Sequence, residues 1–145
     1  AAAKNPAEKA AAKNPAEKAA AKNPAEKSAI KEEWILAFGT NDRIEKKEHN
    51  KVLEAVKAKW LADKKYEIVS LEDYRNHIER YIGKKVIVAE ARKDYGEYTF
   101  SIRSGKVVKD ASGPYEDVLP EGPEQQFIRG RDSIPNLLKE LRFLK

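Results

Sequence analysis

Residues 1–27 consist of one nine-residue unit, Ala-Ala-Ala-Lys-Asn-Pro-Ala-Glu-Lys, repeated three times without a substitution. Each unit contains a proline, which starts a helix readily but ends the preceding one, because its ring clashes with the carbonyl four residues back. The asparagine before each proline and the glutamate three residues after that asparagine form a capping box. The repeat therefore predicts separate short helices, or one helix kinked at every proline.

This repeat has no hydrophobic stripe with which to pack against a core. Alanine buries too little apolar surface to hold a tertiary contact, and an isolated short helix is marginal in water. We therefore expect residues 1–27 to act as a semi-rigid helical spacer. A lysine-studded arm that touches nucleic acid or an acidic surface, and a surface-binding array of regularly spaced asparagines, are the alternatives.

The sequence after the repeats is similar to the start of a fourth unit, but it lacks the proline of that unit. Ser28 to Lys31 resemble the opening of the unit, but glutamates at 32 and 33 replace Asn-Pro. Ile30, Trp34 and Phe38 then follow at helical spacing, and a glycine stands at position 39. This pattern predicts one helix from residue 24 to 39, shared by the spacer and the domain that follows.

The remaining residues, 28–145, form a single predicted α+β domain. The repeats contain six lysines and three glutamates, so of the formal charge of +5 only +2 belongs to this domain. The chain contains no cysteine, which excludes disulfides, thiolate zinc sites and cysteine nucleophiles. No stretch reaches the apolar length of a membrane span, and the cellular location stays open.

Apolar spacing and caps predict the elements of this domain. After the shared helix, Asp42 and Glu45 form a capping box for a helix that ends near residue 65 and carries His49 on its apolar face. Ser70 caps a helix that closes at Gly83, and Ser133 caps the last one. A short strand, 66–69, precedes the Ser70 helix, so strand, helix and strand predict a crossover unit. Three strands at 86–92, 97–103 and 106–110 form an antiparallel meander.

Turn residues predict how the meander is connected. Asp94-Tyr95-Gly96 and Ser104-Gly105 mark the two turns. A hairpin at the second turn pairs Arg103 with Lys106 and Ser101 with Val108. Residues 111–126, rich in proline and glycine, are expected to form a loop long enough to act as a lid or a binding segment.

Two histidines are the candidate catalytic groups. The pattern favours a core role for His49. His77 is expected to be exposed to solvent. Asp73 precedes it by one helical turn, so its carboxylate would favour the protonated imidazolium of His77. If the domain is a nuclease, His77, Arg80, Tyr81 and His49 are its catalytic residues, since metal-independent RNA cleavage needs a base, an acid and a cation for the phosphate. The alternative is the ordinary polar surface of an amphipathic helix.

The predicted order of helix, three antiparallel strands and helix from Ser70 to Leu144 resembles that of a double-stranded RNA-binding domain. The resemblance implies RNA binding, but residues 132–136 are Asp-Ser-Ile-Pro-Asn where that family has a basic cluster, so no residue role is carried over. The Arg-Gly-Arg motif at 129–131 suits a phosphate or a carboxylate partner. The candidate binding residues are Arg103, Lys106, Tyr115, Phe127, Arg129 and Arg131.

No cofactor or metal site is specified by any motif of the chain. The sequence predicts a non-catalytic protein-interaction module carried on a semi-rigid spacer, with a protein as its partner. One alternative is a small metal-independent nuclease or toxin domain at the tip of a repetitive stalk. A further alternative is a nucleic-acid-binding domain with a basic arm, whose affinity falls steeply with salt.

Overall fold

A computed structural model describes residues 33–145 of the chain. The repeats, and residues 24–32 of the predicted shared helix, lie outside the described residues, so the division into a spacer and a domain stays a prediction. The described part is an α+β domain, as the sequence predicts. Its elements are β1 (Glu33–Thr40), α1 (Lys46–Trp60), β2 (Lys65–Ser70), α2 (Leu71–Asn76), a 3₁₀ helix (Ile78–Tyr81), β3 (Lys85–Asp94), β4 (Glu97–Asp110), β5 (Gly113–Val118), β6 (Gln126–Arg131) and α3 (Ile134–Leu141).

The six strands form one mixed sheet in the order β2-β1-β3-β4-β5, with β6 also paired to β4. The strands β1, β2 and β3 are parallel, whereas β4 pairs antiparallel with β3, β5 and β6. The helix α2 connects the parallel strands β2 and β3, as the predicted crossover unit requires. A first crossover, in which α1 connects β1 to β2, was not predicted.

The predicted helix through Trp34 and Phe38 is wrong over the described residues, because this segment is β1, in the centre of the sheet. Trp34 and Phe38 satisfy a helical spacing, but the five consecutive residues 34–38 are all buried. A helix at the surface would bury one side only. A central parallel strand is covered on both faces, so its sequence is a continuous run of apolar residues.

The helix α1 begins later and ends earlier than the sequence predicts. Its capping pair is Glu45 and Glu48, whose carboxylate accepts a 3.3 Å bond from the backbone N–H of Glu45. The helix stops at Trp60, and not near residue 65. The predicted capping pair of Asp42 and Glu45 therefore lies one turn too early.

The caps of α2 and α3 are confirmed. Ser70 Oγ accepts a 3.0 Å bond from the N–H of Asp73, and Ser133 Oγ accepts a 3.3 Å bond from the N–H of Asn136. The predicted single helix up to Gly83 is wrong, however, because α2 ends at Asn76 and a 3₁₀ helix follows. The non-helical backbone of His77, with φ of −137° and ψ of 42°, separates the two.

The predicted hairpin at Ser104-Gly105 is wrong, since β4 runs unbroken through both residues for 14 residues. Ser104 is buried and its Oγ bonds to the carbonyl oxygens of Leu119 and Pro123, so it holds the next loop instead of making a turn. Arg103 therefore lies opposite Val88, and not Lys106. The other turn is confirmed: Tyr95 and Gly96 have φ of 53° and 78°, as a tight two-residue hairpin requires.

The predicted loop at 111–126 contains a strand. The strand β5 occupies most of its first half, and β6 begins at its last residue. Both strands pair with β4, β5 at its carboxyl half and β6 at its amino half, and the loop 119–125 separates them. Four strands thus lie between α2 and α3, so the resemblance to the order of a double-stranded RNA-binding domain does not hold.

The helices lie on both faces of the sheet. On one face, α1 and α3 cover the main core, which includes Leu36, Val56, Phe100 and Leu137. On the other face, α2 and the 3₁₀ helix cover a smaller core around Ala37, Leu71, Tyr74, Val86, Val88 and Val107. The helix α2 packs against β1, β2 and β3, which form one half of the sheet.

Candidate functional site

The face of the sheet on the α2 side remains accessible where β4 meets β6. Phe100 and Ile102 point into the main core, so the residues between and beside them point to the other face. Phe127 lies directly opposite Ser101, and Val118 opposite Gly105. Phe127 and Val118 are 57% and 80% exposed. We call this surface the open face; it comprises Thr99, Ser101, Arg103, Val118, Phe127 and Arg129.

A stacked pair of side chains forms the centre of the open face. The guanidinium carbon of Arg129 lies 5.1 Å from the centroid of the Phe127 ring, which is a cation–π geometry. Arg129 makes no ion pair with any described residue, so its guanidinium is available to an external carboxylate. The bulge at Gly130, with φ of 75°, shifts the pairing register of β6 after Arg129.

A pocket of about 130 Å³ opens beside the Phe127 ring. It lies where β6 begins, next to the loop that separates β5 from β6. This volume is below the range of about 300–1,000 Å³ that small-molecule sites occupy, so it suits a single side chain. The pocket is lined by Ser101, Ile102, Arg103, Gln125, Gln126 and Phe127.

Arg103 is held in place by a hydrogen-bonded triad. Its Nε and Nη2 donate to the two carboxylate oxygens of Glu116 at 2.7 and 3.2 Å, and the Tyr74 hydroxyl donates to Glu116 at 2.6 Å. Burial alone would raise the pKa of Glu116, but the bonds from Arg103 and Tyr74 hold that pKa below its usual value. Burial and the neighbouring carboxylate raise the pKa of Tyr74, which stays protonated.

The six predicted binding residues divide between the two faces of the sheet. Arg103, Phe127 and Arg129 share the open face. The other three belong to the α1 and α3 side: Lys106 is opposite Asp117, Tyr115 is opposite Val108, and Arg131 pairs with Glu140 at 3.2 Å. The structure therefore brings three of the six together and places the other three elsewhere.

A second concave site lies at the carboxyl ends of the parallel strands. We call it the crevice; it has a volume of about 360 Å³ and lies where β1 and β2 end. Because α1 and α2 leave these strands toward opposite faces, their first residues diverge and open a gap. Its lining is formed by Phe38, Gly39, Thr40, His49, Ser70, Leu71, Glu72, Arg75, Asn76 and Glu90.

His49 lies in this crevice and is half-buried. Its Nδ1 is 2.7 Å from Thr40 Oγ1, and its ring forms a T-shaped contact with the Phe38 ring at a centroid distance of 4.9 Å. Burial, aided by the charge of Lys46, lowers the pKa of His49. The imidazole is therefore neutral near pH 7, and it shares the crevice with the guanidinium of Arg75.

The other three predicted catalytic residues lie outside the crevice, on the α2 side of the sheet. His77 Nε2 is 3.9 Å from Asp73, and the Tyr81 hydroxyl donates to the same carboxylate at 3.2 Å. Burial and Asp73 raise the pKa of Tyr81. Arg80 is exposed. His77 and Tyr81 thus converge on Asp73, whereas His49 belongs to a different site.

Sequence reasoning missed several residues of both sites. Val118 and Gln125 fall in the segment that was predicted to be one loop. Thr40 and Ser70 line the crevice as the last residues of β1 and β2. The position of Thr40 would have been apparent if the apolar run before it had been recognised as a central strand, because ligands bind beyond the carboxyl ends of parallel strands.

Within residues 33–145, no three His, Asp or Glu side chains are grouped so that they could hold a metal ion. Among the same residues, no helix is long and apolar enough to cross a membrane. The sequence matches no known family model, and the comparisons with curated proteins and with solved structures gave no match.

Proposed function

We propose that the domain is a non-catalytic protein-interaction module that binds its partner through the open face. The observation that carries this proposal is the combination of a pocket of side-chain size with an exposed aromatic–arginine stack on its rim. Aromatic residues and arginine are the side chains most enriched at binding hot spots, and hot spots cluster around pockets.

The chemistry of the open face defines the kind of partner. Phe127 provides an apolar wall for one aliphatic side chain. Arg129, which has no acidic partner among the described residues, can donate to a carboxylate beside that side chain. Arg103 is fixed by Glu116, so it contributes a preorganised polar wall and loses little conformational entropy on binding. The partner is a protein segment with an aliphatic residue next to an Asp or Glu.

Two features support this function over nucleic-acid binding. The net charge of residues 28–145 is only +2. Two of the four arginines and lysines that the sequence offers for phosphate contacts, Arg103 and Arg131, are already paired with glutamates. A domain that neutralises few phosphates gains little from counterion release.

The test is a selection from a display library of protein fragments with the full chain as bait, followed by affinity measurements on the purified fragments. We expect enrichment of an aliphatic residue beside an acidic one. Phe127→Ala should weaken binding about 30-fold and Arg129→Ala about tenfold, because truncating a hot-spot residue costs on the order of 2 kcal/mol. Tyr95→Ala is the matched control, since Tyr95 is 98% exposed at the β3–β4 turn, outside the open face.

Equal binding of the selected fragments to wild type and to all three variants would rule out the open face as the interface. Failure to select any saturable binder would count against the proposed function itself. Circular dichroism of each variant establishes that the substitutions leave the fold intact.

A further inference from the structure

The crevice combines charges of both signs, and this sets it apart from the open face. Arg75 shares the lining with two carboxylates: Glu72 is three residues before it on α2, and Glu90 on β3 accepts a 3.3 Å bond from its Nη2. Thr40 and Ser70 add hydroxyl groups at the strand ends. We propose that this crevice binds a small zwitterion of the α-amino-acid class, with its carboxylate on Arg75 and its ammonium on Glu72.

The position of the crevice supports a ligand site. In open sheets with parallel strands, ligands bind beyond the carboxyl ends of the strands where neighbouring connections leave toward opposite faces. Here the connection after β1 passes over the main core through α1, and the connection after β2 passes over the smaller core through α2. The volume of about 360 Å³ falls within the range of about 300–1,000 Å³ that is typical of small-molecule sites.

The charges of the lining select among ligand classes. With His49 neutral, the lining carries two carboxylates and one guanidinium. A simple anion would meet a net negative lining, and a simple amine would leave the guanidinium without a ligand partner. A zwitterion complements both signs, and a guanidinium matches the geometry of a carboxylate in two parallel hydrogen bonds.

Arg75 is suited to this role because its hydrogen bond to Glu90 orients the guanidinium and leaves most of its N–H donors unused. Within the described residues its guanidinium donates through Nη2 alone, so its other donors remain for a ligand carboxylate. Glu90 is itself held by Arg92, at 3.5 Å. Glu72 is exposed and has no described ion pair, so its carboxylate can bind an ammonium group without breaking an existing contact.

The side chain of the ligand would be directed toward the α1 side of the crevice. That side is lined by the neutral imidazole of His49, the hydroxyl of Thr40 and Phe38. Gly39 also lines the crevice, and a Cβ atom there would lie 2.8 Å from Leu71 Cβ, so the absence of a side chain lets Leu71 pack closely against β1.

The experiment is a titration of the full chain, labelled with ¹⁵N, with each of the common amino acids. Two further probes are the N-acetyl derivative and the decarboxylated amine of the amino acid that binds best. We expect saturable shifts at the amides around Gly39, Ser70 and Arg75, and a loss of affinity of about tenfold or more with either derivative.

Matched variants identify the side chains that bind. Arg75→Gln and Glu72→Gln should each weaken the amino acid about tenfold. The controls are Arg80→Gln and Glu79→Gln, which carry the same changes on the exposed surface of the neighbouring 3₁₀ helix. Phe127→Ala should leave this binding unchanged, because the open face is a separate site.

Two results would overturn the proposal. One is the absence of saturable shifts with every amino acid. The other is binding that either derivative reproduces, or that Arg75→Gln and Glu72→Gln leave unchanged. Neither result bears on the open face, so the two sites are tested independently.

Discussion

Tyr74 donates a 2.6 Å hydrogen bond to Glu116, and this bond joins α2 to β5 across 42 residues of sequence. Glu116 in turn holds Arg103 through both of its carboxylate oxygens. One carboxylate therefore fixes the packing of α2 and the conformation of a residue that lines the pocket of the open face. The stability of the domain and the shape of its open face are coupled through Glu116.

Glu116→Gln should lower the free energy of unfolding by on the order of 2 kcal/mol at neutral pH. The side chain of Glu116 is only 17% exposed, so removal of its charge leaves Arg103 with a partner that binds it less strongly. Urea denaturation of both proteins measures the difference. Asp117→Asn is the control, because Asp117 is the exposed neighbour of Glu116 on β5.

The loss of stability caused by Glu116→Gln should also depend on pH. Because the pKa of Glu116 is lowered in the folded state, its contribution to stability is complete above the pKa of an unfolded glutamate and is lost as the pH falls through the folded value. The difference between wild type and Glu116→Gln should therefore narrow in acid. A difference that stays constant with pH would show that the charge of Glu116 adds nothing.

His49 should make the domain less stable as the pH falls below the ordinary histidine pKa. The folded state keeps the imidazole neutral, so the unfolded state binds the proton first, and stability decreases until the pH passes the folded pKa. Thermal unfolding between about pH 7.5 and about pH 5 should show a smaller decrease for His49→Gln than for wild type. Lys46→Gln should give an intermediate decrease, because the charge of Lys46 is the second cause of the shift.

Gly122→Ala should destabilise the domain by about 1–3 kcal/mol through overpacking. A Cβ atom at position 122 would lie 2.6 Å from Ser104 Cβ and 3.2 Å from the Trp34 ring. Since Ser104 pins the loop between β5 and β6, the added methyl group would push this loop outward. Glu124→Ala, an exposed change in the same loop, should be close to neutral by the same denaturation measurement.

Total RNA and plasmid DNA should remain intact when incubated with the full chain, with or without chelator. Cleavage of RNA without a metal needs one group that takes a proton and one that returns it. Among the described residues, the crevice offers a neutral imidazole as a base beside Arg75, and His77 belongs to another site. Degradation that survives chelator and disappears in His49→Ala would contradict the interaction module and favour the nuclease alternative.

Local signals in the sequence predicted the caps of α2 and α3 and one turn correctly. Ser70 and Ser133 are caps because a hydroxyl before an apolar stretch satisfies a free amide, whatever the tertiary context. The turn at Tyr95-Gly96 likewise depends only on residues that tolerate positive φ. These features are decided within a few residues, so the sequence contains the information needed to predict them.

The elements that were predicted wrongly are decided by distant residues. The spacing of Trp34 and Phe38 is compatible with a helix, and only the pairing of this segment with β2 and β3 makes it a strand. Ser104-Gly105 fits a turn until the carbonyl oxygens of Leu119 and Pro123 are known to accept bonds from Ser104 Oγ. The open face could be predicted for Arg103, Phe127 and Arg129 as individual residues, but the register that places them together comes from the pairing of β4 with β6.

The loop between β5 and β6 also affects how the molecule meets copies of itself. An uninterrupted outer strand beside β4 would present a long row of unpaired amides and carbonyls, which is a template for intermolecular strand addition and aggregation. The loop divides that border into two six-residue segments, and Ser104 holds the interruption in place. The border beside β4 therefore offers two short segments to another copy of the chain in place of one long template for strand addition.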